Sequence, residues 1–402
     1  MNTKLSALAL AIGALSLVTA AQAQEKVKIG FITDMSSLYS DVEGKGGATA
    51  IQMAIDDFGG KVLGQPIELM SADHQNKPDI GVSIARQWLD RDGVDAIMDV
   101  PTSSVALAVA GVVRERNKVY LNSGGGTADL TGVACTPNTI HWTYDTYMLS
   151  RSTATQLVKR GGDKWFFITA DYVFGQQLQR DTARFVQEAG GKVLGSRTYP
   201  FPDTTDFSSL LLQAQSSGAK VLGLCNSGTD TVNCIKQAHE FGLTKSMKIA
   251  AMLMYDGNVR SVGLEDSQGL VMTESFYWDL NDRTRMFWER IRQKSSTQPP
   301  NMIQAGCYAA TLHYLKAAAD LGVAAAKANG AEVVARMKAM PTDDDCYGTL
   351  RIRADGQALH PAYLFQVKTP AESTGPWDLY KLLSTTSGED AAPPIESCKL
   401  TG

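Results

Sequence analysis

The sequence predicts a protein of two similar α/β lobes, each built on a parallel sheet covered on both faces. Three observations predict it. Apolar strand-like runs alternate with amphipathic helix-like runs along most of the chain, the pattern of parallel sheets with helical crossovers. Short motifs recur once, in order, at slowly drifting offsets. The length of 402 residues, with 44% hydrophobic and 20% charged, suffices for two or three domains and is too apolar for a disordered chain.

The alternation starts with a strand at Val27–Thr33 and a helix at 48–58. Residues 67–72 read as strand, 78–91 as helix, 96–100 as strand, 105–116 as helix and 119–122 as strand. Then the pattern repeats itself. Phe31-Ile32-Thr33 recurs as Phe167-Ile168-Thr169, each followed closely by an aspartate, Asp34 or Asp171. GGKVLG at 59–64 recurs at 190–195, and Gly93-Val94-Asp95-Ala96-Ile97 has a looser echo in Gly218-Ala219-Lys220-Val221-Leu222. Three matches in one order favour two related lobes, and their spacing is too long for a solenoid. After Thr273 the pattern loosens. Residues 283–294, 305–321 and 332–339 read as helices; 348–353 and 363–368 read as strands joined through the Asp355-Gly356 turn. From Ser384 the chain is rich in Ser, Thr and Pro and is expected to run over the surface.

The amino terminus has the layout of a secretory signal peptide over residues 1–23: Lys4, an apolar stretch from Leu5 to Val18, and the small-x-small site Ala21-Gln22-Ala23. Its apolar core is too short for a membrane anchor, and no later run approaches the ~20 apolar residues of a spanning helix. The expected location is therefore the periplasm. Lys+Arg number 38 against Asp+Glu 42, a net charge of −4 that gives no reason to expect nucleic acid. Export also changes how the six cysteines are read, because an even count in an oxidising compartment favours disulfides. The pairing proposed is Cys225–Cys234, Cys307–Cys346 and Cys135–Cys398. Free buried thiols are the alternative.

In open parallel sheets ligands bind beyond the carboxyl ends of the strands. Two facing lobes therefore nominate six loops: 34–43, 101–104 and 122–127 in the first, 171–175, 226–229 and 253–257 in the second. Thr102, Ser103 and Ser104 precede a helix and offer hydroxyls and first-turn N–H groups to an anion, or one serine simply caps the helix. Gly124, Gly125 and Gly126 let backbone N–H groups approach a ligand, or form a flexible turn. Tyr39, Tyr172, Phe174 and Tyr255 are candidate aromatic walls, with packing inside their own lobes as the alternative; Asn226 and Met254 complete the candidate set.

Enzyme signatures are missing. The sequence holds no GxSxG elbow, no P-loop, no HExxH and no GxGxxG after the first strand, and its five histidines are scattered singly. Asp343-Asp344-Asp345 follows Pro341 and reads as a solvated loop rather than a cation site. No catalytic residue, metal ligand or cofactor is expected.

The chain resembles periplasmic solute-binding proteins of the leucine/isoleucine/valine-binding type, the soluble components of ABC importers. The resemblance is carried by KIGFITDMSSLYSD, GGKVLGQPIELMSADHQNKP, TSSVALAV, NSGGGTADLT, DYVFG and KQAHEFGL, in the family's order. It implies two lobes joined by three crossovers that close on the ligand by a hinge, and a membrane permease that docks the closed form. The lobes would comprise 24–144 with about 276–355, and 145–275 with about 356–385, followed by a surface tail at 386–402. It further implies a ligand carboxylate held at Ser103, Gly124 and Gly126, where Gly126 replaces the usual threonine or serine, and an aromatic at Phe174. The acid that receives an amino acid's ammonium has no match in Met252-Leu253-Met254-Tyr255, and an acid comes only at Asp256. A buried ammonium needs a carboxylate partner. The expectation is therefore a small carboxylate-bearing solute, an organic or aromatic acid slightly ahead of an amino acid. A sensing subunit that docks a membrane receptor and a secreted α/β enzyme are the alternatives.

Overall fold

The computed structural model describes residues 25–294 and 298–401; the expected signal peptide lies outside them. The first lobe is laid down as β1 (Val27–Thr33), α1 (Gly44–Phe58), β2 (Lys61–Val62), β3 (Gln65–Asp73), α2 (Pro78–Gln87), β4 (Ala96–Asp99), α3 (Ser103–Glu115), β5 (Val119–Asn122) and β6 (Thr139–His141). The second contains α4 (Thr146–Lys159), β7 (Lys164–Ala170), α5 (Val173–Glu188), β8 (Lys192–Tyr199), α6 (Ser208–Ser216), β9 (Val221–Cys225), α7 (Thr229–Glu240), β10 (Lys248–Ala251), α8 (Asp256–Val262), α9 (Leu264–Ser267) and β11 (Val271–Glu274). The chain then returns through α10 (Asp282–Arg292), α11 (Met302–Leu321), α12 (Val323–Ala328), α13 (Gly330–Ala339), β12 (Arg351–Ile352) and β13 (Ala358–Leu359). It ends with β14 (Ala362–Val367), β15 (Tyr380–Thr386) and α14 (Gly388–Ala391).

Two large sheets result, ordered β2-β3-β1-β4-β5-β6 and β15-β14-β11-β10-β9-β7-β8, beside the two-stranded β12-β13. They are parallel except where β2 pairs with β3 and where β14 pairs with β11 and β15. The chain passes between the sheets after β6, after β11 and after β13. Phe31 and Phe167 of the repeated tripeptide occupy central strands, β1 and β7, each flanked by strands on both sides. The glycines of the loose echo do the same job twice: Gly93 (φ 71°) and Gly218 (φ 73°) take the left-handed conformation just before β4 and β9. GGKVLG ends a helix in both lobes but then diverges. In the first copy it forms a hairpin through β2; in the second it runs straight into β8.

Each sheet buries both faces. In the first lobe one face packs on Val105, Val109 and Trp88, while the other faces α1 and α11. Asn301 caps α11, its side-chain oxygen accepting from the N–H groups of Ile303 (3.0 Å) and Gln304 (3.1 Å). The same cap reaches the ligand side of the lobe, because Asn301 Nδ2 donates to the Val42 carbonyl at 2.6 Å. That bond fixes the loop leading into α1.

Three expectations are corrected. Asp355-Gly356 turns between the two-residue strands β12 and β13 instead of joining long strands. Its Gly356 carbonyl accepts from His141 N–H at 2.9 Å at the edge of the first sheet, while β14 leaves to pair with β11. Ser384–Thr386 belong to the edge strand β15, where β-branched and hydroxyl side chains are well tolerated. Asp343-Asp344-Asp345 is tied down rather than free in solvent. Asp343 and Asp345 pair with Arg283 and Arg290, and the buried Asp344 carboxylate accepts from the N–H groups of Cys346 and Tyr347.

The cysteine pairing also divides. Cys135–Cys398 is a disulfide, tying the tail beyond β15 back to the first lobe. Cys225, Cys234, Cys307 and Cys346 are free and buried. Cys225 sits on β9 with Phe167 on one face of the second sheet, whereas Cys234 on α7 packs with Leu222 and Leu224 on the other. Alternate strand residues face opposite ways, so the sheet itself separates the two thiols that sequence proximity had paired. Cys307, on α11, and Cys346, after α13, are likewise free within one core.

Candidate functional site

A cavity of about 20 Å³, room for about one water molecule, lies where the carboxyl ends of both sets of strands meet. That is far below the ~300–1,000 Å³ usual for small-molecule pockets. The first lobe lines it with Tyr39, Val42, Glu43, Pro101, Gly124 and Gly126, and Tyr144 adds a wall from the segment entering α4. The second lobe contributes Tyr172, Phe174, Ser227, Leu253 and Tyr255. Except for Tyr144, all of these fall in the six loops that topology nominates.

Local chemistry positions each group. After β1 the buried Asp34 carboxylate collects the N–H groups of Ser37 (2.9 Å) and Tyr39 (2.8 Å), the Ser37 hydroxyl, and Asn76 Nδ2 (2.7 Å). This compact loop turns Tyr39 toward the other lobe. At the end of β4, Asp99 (φ 73°) and Val100 (φ 69°) both adopt left-handed backbone, a costly conformation for a β-branched residue. Asn122 holds the strain in place, its Nδ2 donating to the carbonyls of Asp99 (2.6 Å) and Val100 (3.1 Å).

The lobes are stitched across the cavity. The hydroxyls of Tyr39 and Tyr172 are 2.6 Å apart, and Phe201 stacks behind Tyr172 at 4.0 Å between ring centroids. Tyr255 donates to the Tyr144 hydroxyl (3.1 Å), which donates to the Gly124 carbonyl (2.7 Å). Beside the cavity, Thr127 Oγ1 donates to Gln177 Oε1 (2.7 Å), and Gln177 Nε2 donates to Asp129 (2.6 Å). Two glycines permit this approach. A Cβ on Gly126 would lie 2.7 Å from the Phe174 ring, and one on Gly228 (φ 62°) would lie 2.7 Å from the Leu38 carbonyl. Phe174 thus fills the space that a threonine or serine side chain at 126 would need.

The electrostatics of the cavity are acidic. Glu43 is 3% exposed, and its Oε2 accepts from the Thr33 hydroxyl at 2.9 Å. Burial, and then the facing Asp99, push its carboxyl well above the ordinary range. Burial pushes Asp99 up to about 6. Burial likewise raises the hydroxyls of Tyr39, Tyr144, Tyr172 and Tyr255, so all four stay phenols. None of the lining residues is basic.

The sequence-predicted residues divide accordingly. Tyr39, Gly124, Gly126, Tyr172, Phe174 and Tyr255 come together around the cavity. Neither predicted serine lines the cavity: Ser103 lies at the start of α3, buried, with its hydroxyl unpartnered, and Ser104 is half-buried on the same turn. Gly125 points at Ala106 and Asn122. Asn226 does not face the cavity: its carbonyl oxygen accepts from Thr231 Oγ1 at 2.7 Å and its Nδ2 lies on Cys234. Met254 is buried in the core of the second lobe, between Leu253 and Tyr255 that face the cavity. The residues missed are Val42, Glu43, Pro101, Tyr144, Ser227 and Leu253. Among the described residues no cluster of histidine, cysteine and acid side chains is arranged to hold a metal, and no helix is long and apolar enough to cross a membrane.

Residues 26–375 match the periplasmic binding protein family. A periplasmic binding protein from Burkholderia mallei is 47% identical, with a TM-score of 0.89 over 93% of this chain and 98% of that one. A branched chain amino acid ABC transporter periplasmic ligand-binding protein from Burkholderia xenovorans LB400 is 37% identical, with a TM-score of 0.82 over 94% and 100%. The Leu/Ile/Val-binding protein homolog 7 of Brucella suis biovar 1 (strain 1330) is 28% identical over 255 residues, 61% of this chain and 63% of that protein. The chain thus spans less than two thirds of the length of that curated relative. The match over nearly the whole described chain, with the two-sheet architecture and the cavity between strand ends, places the chain in the periplasmic binding protein family, whose members are binding proteins and not enzymes.

Proposed function

We propose that this protein is an exported receptor that captures a small carboxylate-bearing solute by closing its two lobes and delivers it to an ABC permease. The observation that carries this reading is the cavity itself: it lies at the strand ends of both sheets and is walled by both lobes, with Tyr39 of one hydrogen-bonded to Tyr172 of the other. Ligands of open α/β sheets bind at that end, and hinge closure between lobes is an established way of sequestering them. The buried, unpartnered Ser103 hydroxyl at the start of α3 supports a carboxylate at the first lobe's end of the site. Lobe boundaries near residues 144, 275 and 355, and removal of residues 1–23 on export, are parts of the same proposal.

The test is small-angle scattering on refolded protein with the carboxylate that most raises its melting temperature in a panel of amino acids, aromatic acids and short aliphatic acids. The expected result is a smaller radius of gyration at saturation. An unchanged radius with the site filled contradicts capture by closure.

A further inference from the structure

The cavity raises a question of charge, because an anionic solute would enter a site that already holds an acid and no base. Glu43 lines the cavity while Asp99 stands directly behind it. A Cβ placed on Gly124 would lie 2.5 Å from Glu43 Oε1 and 2.7 Å from Asp99 Oδ1, so both carboxyls converge on one point of the loop. The donors expected to receive an anion there are partly spent. The Gly125 N–H donates to Asn122 Oδ1 at 2.9 Å, and the Tyr255 and Tyr144 protons run in series to the Gly124 carbonyl. Among the side chains that line the cavity, Ser227, one proton of the Tyr39–Tyr172 pair and the carboxyl of Glu43 are left to donate.

We propose that Glu43, backed by Asp99, is a binding residue that donates a hydrogen bond to the solute's carboxylate, and that the anionic solute is therefore bound together with one proton from solvent. This rests on the reading above that the solute carries a carboxylate. The groups facing Glu43 are Thr33 and Asp34 from the end of β1, Asp99 from β4, Tyr120 from β5 and Cys307 from α11. Tyr144, Tyr172 and Tyr255 face it from across the cavity. None is a base, and the Asp34 carboxylate is committed to Ser37, Tyr39 and Asn76.

In the empty site burial favours a single negative charge on the Glu43–Asp99 pair, with Glu43 holding the proton and Asp99 accepting it. A solute carboxylate adds a second charge in a water-poor space, where like charges repel strongly. A hydronium proton taken up by Asp99 removes that repulsion and frees the Glu43 O–H to turn to the solute, a charge-assisted bond. Only O–H bonds form and break, and no electron is transferred. By linkage, affinity then falls about tenfold per pH unit over the range in which the proton is taken up.

The test is calorimetry on the refolded full protein at about pH 5.5 and about pH 8, in two buffers of different ionisation enthalpy. The probes are isobutyrate, benzoate, 4-hydroxybenzoate and leucine, with choline as a cationic control. The expected result is tighter carboxylate binding at the lower pH, by at least tenfold, with net uptake approaching one proton. Glu43→Gln should bind with an affinity independent of pH and without uptake, while Asp256→Asn, outside the cavity, should keep it. Carboxylate binding without proton uptake in the wild-type protein overturns the inference and leaves the proposed function standing, whether or not Glu43→Gln folds. Choline bound in place of any carboxylate, or no carboxylate bound at either pH, overturns both.

Discussion

Each lobe buries a pair of carboxyl groups at the carboxyl end of its sheet, and the two pairs differ in what they can reach. Glu43 and Asp99 stand at the ends of the loop before α1 and of β4, and Glu43 lines the cavity. Asp256 and Glu274 stand at the start of α8 and the end of β11, beside Tyr380, and neither lines it. Burial pushes Asp256 up to about 7, and burial and then Asp256 push Glu274 well above its ordinary range. In the sequence, Asp256 is the first acid after the stretch in which the family's ammonium-binding acid has no match. Chemistry alone does not separate the pairs, since all four groups are buried carboxyls with raised affinity for protons. Access does: one pair can exchange its proton with a solute, whereas the other is positioned to affect only the stability of the fold.

The largest effect is expected from the closed pair. The folded state binds protons that the unfolded chain releases above pH ~4, so the stability from these groups is complete below that point and lost as pH rises through about 7. Glu274→Gln removes part of this dependence. Thermal unfolding between about pH 4 and pH 8 should show a shallower decline for the variant, a difference on the order of a few kcal/mol at the alkaline end. Parallel curves would mean that the C-terminal pair is not protonated in the fold.

At the open end, Ser103→Ala should weaken carboxylate binding by ~1.5–3 kcal/mol, about ten- to a hundredfold, without lowering the melting temperature of the free protein by a comparable amount. Unchanged affinity in titration calorimetry removes Ser103 from the site. Gly126→Ala tests closure itself. Its Cβ meets the Phe174 ring, so affinity should drop by about tenfold, as for a misfit of ~1–2 kcal/mol, while the unliganded lobes fold normally. The smallest effect is expected from Tyr39→Phe, which removes one neutral hydrogen bond between the lobes, ~0.5–1.5 kcal/mol. Scattering should then report a larger radius at subsaturating solute than for wild type, and an identical curve would make the Tyr39–Tyr172 contact incidental.

Most of the fold was legible because parallel sheets write themselves as apolar runs, and because the repeated tripeptide marks the same central strand in both lobes. The six ligand loops were legible for the same topological reason. What the sequence did not settle is which side chain in a loop faces inward. Residues 253 and 255 line the cavity while Met254 is turned into the core, the alternation expected of extended backbone. Asn226 is spent inside its own lobe on Thr231 and Cys234. Glu43 lay inside a nominated loop, yet an acid just before a helix reads as a solvated end-cap. Only the Asn301 contact to Val42 and the approach of Asp99 reveal it as buried. Tyr144 follows β6 with no motif, and no spacing could have placed it against Tyr255. Cys225 and Cys234 failed for the reason Met254 did, since nearness in sequence says nothing about which face of a sheet is shared.

The contrast between the two acid pairs is tested most directly by carboxyl-carbon NMR titration of the refolded protein, with Glu43 and Asp256 assigned through Glu43→Gln and Asp256→Asn. The titration is run with and without the carboxylate that most stabilises the protein. The solute should raise the midpoint of the Glu43–Asp99 pair and leave that of Asp256 in place. A pair that does not move, or two pairs that move together, would contradict it.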